Sequence, residues 1–85
     1  MFFVYLLTSI TYPTQKYIGR TKDIQQRLKI HNSGKSPYTS AYRPWRLVTY
    51  MAFSSEKQAI EFEQYLKSGS GHAFALNRLW PSFSK

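Results

Sequence analysis

The sequence predicts an α+β fold, with a small three-stranded sheet, mixed or antiparallel, flanked by helices in the order β-β-α-β-α-α. Three observations carry this. Short runs rich in aromatic and β-branched residues stand at 2–7, 16–21 and 46–53. Helical spacing marks 23–33 and again 55–67. Between them lie segments punctuated by Pro, Gly and Ser, the residues that turn a chain.

Taken in order, 2–7 is almost wholly apolar and reads as a buried strand. The segment 9–15 contains Pro13 and several Thr, and makes a turn into a second strand at 16–21; the short connection predicts a hairpin. Ile24 and Leu28, four apart, define the apolar stripe of the first helix. Thr21 or Lys22 falls near its start, Asp23 in its first turn, and Gly34 suits its C-terminal cap. The polar segment 35–45, with two prolines, is expected as a loop before the third strand at 46–53. Ser55 and Gln58 fit a capping box that opens a second helix reaching about Lys67. The run 68–71, Ser-Gly-Ser-Gly, is expected to break it, and a short last helix over 72–79 ends before Pro81. At 85 residues the expected division is one domain over 1–80 and a short tail at 81–85.

Composition narrows the function classes. The absence of Cys excludes a disulfide framework and a thiolate metal site, and His31 and His72 alone do not suggest a His-rich zinc site. Twelve Lys/Arg against four Asp/Glu give a net charge of +8, which favours a polyanion: nucleic acid or an acidic membrane surface. The plainer alternative is that the charge only aids solubility. The longest apolar run, 1–7, is too short to cross a bilayer and lacks a positive leader, so a cytoplasmic protein is expected.

Several residues resist a purely structural account. Arg27 and His31 sit at the edge of the Ile24–Leu28 stripe, four apart, and project together; the alternative is that both snorkel to solvent. On the second helix Glu63 lies on the inward face that Ala59, Phe62 and Leu66 define, whereas Glu61 points elsewhere. A carboxylate so placed is costly unless it binds a cation or pairs with Arg27 or another base. Tyr5 and Tyr17 fall on adjacent strands, with Gly19 and Arg20 close behind; Gly in a strand often marks close approach of a ligand or backbone. Ordinary cross-strand packing would also explain both tyrosines.

Val4-Tyr5-Leu6 followed by Tyr17-Ile18-Gly19 resembles the two tripeptides that name the GIY-YIG endonuclease superfamily. The resemblance continues through Arg27 and His31, and through His31-Asn32-Ser33-Gly34-Lys35, Arg43-Pro44-Trp45 and Lys67-Ser68-Gly69-Ser70-Gly71. These segments are similar to the small stand-alone bacterial branch, which is related to the N-terminal domain of the excinuclease branch. The sequence departs from the pattern in the Val and Leu of the first tripeptide, in Arg20 where excinuclease relatives often have Lys, and in the Asn that often follows the acidic helix. Asn77 is the one candidate for that Asn, at long spacing.

The resemblance implies cleavage of DNA phosphodiesters with one Mg²⁺ or Mn²⁺. Tyr17 would be the general base and Tyr5 would orient it or the attacking water. Arg20 and Arg27 would hold the phosphate, His31 would hydrogen-bond a tyrosine or relay its proton, and Glu63 would be the protein's metal ligand. The residue types agree: Mg²⁺ keeps most of its waters and needs few carboxylates, and only one of the four acids here faces inward. DNA is expected to be held mainly through backbone phosphates, with Lys35, Thr39, Arg43 and Lys67 as candidate contacts, so that DNA shape rather than base sequence is read. A link to DNA repair or recombination, and a protein partner that supplies specificity, also follow from the resemblance. Two alternatives stay open: a binding module with little cleavage, and a docking subunit of a larger repair enzyme. An exposed patch of Phe74, Leu79, Trp80 and Phe83 would favour the latter, although Phe74 reads better as core.

Overall fold

The computed structural model describes residues 1–81. Strand β1 (Phe2–Ser9) lies at the centre of a sheet of order β2-β1-β3, with β2 (Lys16–Thr21) and β3 (Trp45–Phe53) both antiparallel to it. The expected sheet is therefore observed in its antiparallel form. Helix α1 (Ile24–Ser33) packs on one face, followed by the four-residue α2 (Pro37–Ser40); α3 (Glu56–Lys67) and α4 (Gly69–Arg78) lie on the other.

A central strand covered on both faces has no polar side to show, which is why β1 reads as a continuous apolar run. Its alternation still sorts the core in two. Val4 and Leu6 point to α3 and α4, joining Ile18, Ala59, Leu66, Ala75 and Trp80. Tyr5 and Leu7 point the other way, with Trp45, and pack beside Ile24 and Leu28 of α1. A bulge opposite Leu6 and Leu7 of β1 leaves Val48 of β3 as the extra residue, and Val48 packs with the first group.

Local chemistry sets the helix ends. Asp23 caps α1 from outside, its carboxylate accepting from the Gln26 amide, and so stands one position before the first turn where the sequence places it. Gly34 ends that helix at φ 86°, a conformation that glycine adopts without a Cβ clash. Ser55 caps α3 by accepting from the Gln58 amide. Two expectations need correction. The segment 35–45 is not all loop, because Pro37, with its fixed φ, starts α2. The Ser-Gly-Ser-Gly run does end α3 but also forms the first turn of α4, since buried Gly71 packs against the Tyr65 carbonyl where a Cβ could not fit.

Trp80 is buried and donates its indole N–H to the Leu7 carbonyl at 3.2 Å, while Leu79 is half-buried and its carbonyl accepts from the Thr49 hydroxyl. Both therefore close the core. Phe74 is the reverse of the expectation: it is 40 % exposed and lies against Tyr65 on the surface, because α4 turns Gly71 and Ala75 to the core and leaves position 74 off that face. Phe83 and most of the expected tail lie outside the described residues. No described helix is long and apolar enough to cross a membrane.

Gly19 is the tightest point of the sheet. It pairs with Tyr5 across β1 and β2, and a Cβ there would stand 2.5 Å from the Tyr5 hydroxyl. Gly19→Ala is accordingly expected to destabilise the fold by about 1–3 kcal/mol, as overpacking does. Urea denaturation of the variant beside the parent protein measures this.

Candidate active site

The site is assembled in two halves by the register of β2. Tyr17 pairs with Leu7, and Gly19 with Tyr5, so Tyr17 falls on the α1 face of the sheet. Arg20 pairs with Val4, which puts it on the α3 face. Because β2 is an edge strand, the two halves meet along its open side.

In the first half, Tyr5 is buried at 2 % exposure and its hydroxyl lies 2.9 Å from His31 Nε2. The other ring nitrogen of His31, Nδ1, lies 2.9 Å from the Thr39 hydroxyl. His31 is buried as well, so it does not snorkel; Arg27, one turn earlier, is exposed, yet its charge acts on both Tyr5 and His31. The imidazole thus bridges the Tyr5 and Thr39 hydroxyls. The Tyr17 ring stands edge-on to His31, with centroids 4.8 Å apart, and 6.2 Å from the Tyr5 ring.

Burial drives the Tyr5 phenol well above its ordinary pKa, reinforced by Tyr17 and opposed by Arg27. Burial likewise lowers the pKa of His31, helped by the Arg27 guanidinium. At neutral pH, Tyr5 is therefore a protonated phenol and His31 a neutral imidazole. Of the two tyrosines only Tyr17 is partly open to solvent.

The second half centres on Glu63. Its side chain is 16 % exposed and both oxygens are engaged: Arg20 Nε donates to Oε1 at 3.2 Å, and Lys67 Nζ to Oε2 at 3.0 Å. The inward placement expected from the helix pattern is observed, and Glu61 is exposed. The paired bases are Arg20 and Lys67 rather than Arg27, because Arg27 lies on the helix that covers the other face. Glu56 lies 3.9 Å from Arg20 and adds a weaker, exposed partner that the sequence pattern does not single out.

The four expected phosphate contacts divide. Lys35 and Arg43 are exposed, and Arg43 donates to the Ser40 carbonyl at 2.9 Å. Lys67 is open at its outer side while paired with Glu63. Thr39 is a correction: it is fully buried, holds His31 through its hydroxyl and accepts from the Trp45 indole through its carbonyl, so it orders the histidine instead of meeting a phosphate. Asn32, to which the sequence pattern assigns no role, clamps the start of β3 by exchanging two hydrogen bonds with the Trp45 backbone. Asn77 is exposed on α4 and forms no side-chain hydrogen bond among the described residues.

Residues 1–77 match the family model of the GIY-YIG catalytic domain, and the chain belongs to the GIY-YIG family. It is 46 % identical over 52 residues to a UPF0213 protein of Streptococcus pneumoniae serotype 4, a match covering 60 % of this chain and 52 % of that protein. The UPF0213 protein YazA of Bacillus subtilis is 40 % identical over 52 residues, with the same coverage of 60 % and 52 %. The chain thus spans about half the length of these curated relatives. It is also 38 % identical over 71 residues to the structure-specific endonuclease subunit SLX1 of Debaryomyces hansenii, covering 75 % of this chain and 20 % of that one. The solution structure of the UPF0213 protein BH0048 of Bacillus halodurans matches with a TM-score of 0.55 at 31 % identity, over 95 % of this chain and 89 % of that one. The antiparallel sheet with its flanking helices is thus the fold of a nuclease family.

The buried Tyr5–His31–Thr39 chain makes stability pH-dependent with a definite sign. A lowered folded-state pKa for His31 means that the unfolded chain binds more protons below the ordinary value of about 6.5. Stability contributed by neutral His31 is therefore present above that pH and is lost as pH falls toward the depressed value. Melting temperatures between pH 7.5 and 5 should decline more steeply for the parent protein than for His31→Gln.

Proposed function

We propose that this protein is a metal-dependent DNA endonuclease that hydrolyses phosphodiester bonds and selects DNA by structure rather than by base sequence, serving DNA repair or recombination. One observation carries the reading: a nearly buried carboxylate, Glu63, and a guanidinium, Arg20, sit beside β2 while an open phenol, Tyr17, comes off the same strand's other face.

Each residue then has a task suited to its surroundings. Tyr17 is the base that takes a proton from the attacking water, since Tyr5 is held protonated by burial. Tyr5, fixed through His31 and Thr39, sets the position of the Tyr17 ring. Arg27 and Arg20 bind the scissile phosphate and stabilise the charge that grows on its oxygens as the water oxygen bonds to phosphorus and the leaving oxygen departs.

Glu63 is the residue that would hold one Mg²⁺ or Mn²⁺. Among the described residues there is no group of three or more metal-ligating side chains, and a hard ion that keeps most of its waters fits a lone carboxylate with phosphate oxygens beside it. When bound, such an ion supplies Lewis-acid stabilisation of the phosphate charge. It would compete for Glu63 with Arg20 and Lys67, which balance the carboxylate's charge. Lys35, Arg43 and Lys67 are proposed to meet flanking phosphates. Structure selectivity is supported by the net charge of +8, which acts on backbone phosphates, and by the similarity to SLX1, a structure-specific endonuclease subunit by name.

Two measurements test this. Purified protein with Mg²⁺ is expected to cut branched or nicked DNA. Tyr17→Phe should lower the rate by about 10²–10⁴-fold, the usual scale for losing a general base, and Glu63→Gln should abolish cutting while the protein stays folded. Cutting that survives Glu63→Gln unchanged would refute the assignment. Independently of activity, Lys67→Met should tighten Mn²⁺ binding by about two- to fivefold, because the ion no longer competes with an exposed ion pair. Water-proton relaxation reads this directly.

A further inference from the structure

A groove of about 350 Å³ runs along the open side of β2, between the two halves of the site. Lys16, Tyr17, Tyr38, Lys67, His72 and Trp80 line it. Its volume falls in the range of small-ligand pockets, roughly 300–1,000 Å³. The proposed nuclease chemistry uses its Tyr17 edge and Lys67, and leaves Lys16, Tyr38, His72 and Trp80 without a task. The remaining walls alternate aromatic rings with basic groups, the pattern by which proteins hold unpaired nucleotides: bases stack on rings and phosphates meet cations.

Tyr38 is the open platform. It is 64 % exposed, although a large aromatic ring is normally sheltered, and it sits 6.0 Å from the Tyr17 ring. Trp80 lines the same groove, its ring held by its bond to Leu7 and flanked by His72 at 6.4 Å and by Lys16 Nζ at 5.9 Å. Lys67 links the groove to Glu63 through its 3.0 Å ion pair. A strand whose phosphate lay against Arg20 and Tyr17 would thus have a neighbouring nucleotide at the mouth of the groove. A paired base cannot enter, because its edge and both faces are already engaged in the duplex.

We propose that this groove is a binding site for one unpaired nucleotide flanking the scissile phosphate, with the base stacked on Tyr38 and the backbone held by Lys16 and Lys67. The site rests on the nuclease reading and deepens it: the substrate would be DNA with an extrahelical or single-stranded nucleotide next to the cleavage point.

The test is binding in EDTA, where nothing is cut, of two fluorescent DNAs: a fully paired duplex and the same duplex with a single-nucleotide bulge. The parent protein should prefer the bulged DNA by about tenfold, the scale of one base–aromatic stack. Tyr38→Ala should erase that preference and leave affinity for the paired duplex unchanged; Tyr38→Phe should keep it. Equal affinity of the parent protein for both DNAs overturns the groove assignment alone, as does a preference that survives Tyr38→Ala or an equal loss on both DNAs. Failure to bind either DNA overturns the nuclease reading and the groove together.

Discussion

The contact between the Tyr5 hydroxyl and Gly19 holds the site in place. Tyr5 leaves the central strand, which is buried on both faces, and its phenol must end somewhere over the neighbouring strand. Gly19 has no side chain there, so the ring lies across β2 and its hydroxyl reaches His31 on α1. His31 in turn is fixed by Thr39 of α2, and α2 exists because Pro37 starts a turn of helix in an otherwise irregular segment. Four elements are joined through one phenol. Any residue larger than glycine at position 19 displaces that phenol and, with it, the imidazole against which Tyr17 packs.

Electrostatics complete the picture on the opposite face. A carboxylate with little exposure is unfavourable unless it is paired, and Glu63 is paired twice. The pairing brings Arg20 and Lys67 to the edge of β2 and keeps them oriented there without a substrate. Two cations are thus held in fixed positions at this edge by a shared carboxylate. The same edge carries Tyr17, and the partition of the two tyrosines is set by burial: one is sealed and protonated, the other is open.

Much of this is legible in the sequence. The strand positions, the Gly34 cap, the Ser55 cap and the inward face of Glu63 follow from local periodicity and capping chemistry, which depend on neighbours a few residues away. The resemblance to the GIY-YIG pattern reaches the same family as the whole-domain match. The failures share one cause. Thr39 looks like a phosphate contact because it is polar and lies in a polar segment, whereas its burial depends on α2 folding over His31. Phe74 looks like core because it is aromatic, whereas its outward direction depends on α4 packing through Gly71 and Ala75. Helix spacing leaves the partner of Glu63 open between Arg27 and other bases, since it does not reveal which sheet face a base shares.

The sequence by itself determined the class of fold, the family and the residue types available to the site, because these follow from periodicity and from motifs held within short stretches of chain. Only the tertiary structure decided that Glu63 meets Arg20 and Lys67, that Tyr5 is sealed while Tyr17 is open, and that Tyr38 faces a groove. Those outcomes depend on strand register, on the bulge in β3 and on helices packed against opposite faces of the sheet, all of which bring together residues far apart in the chain.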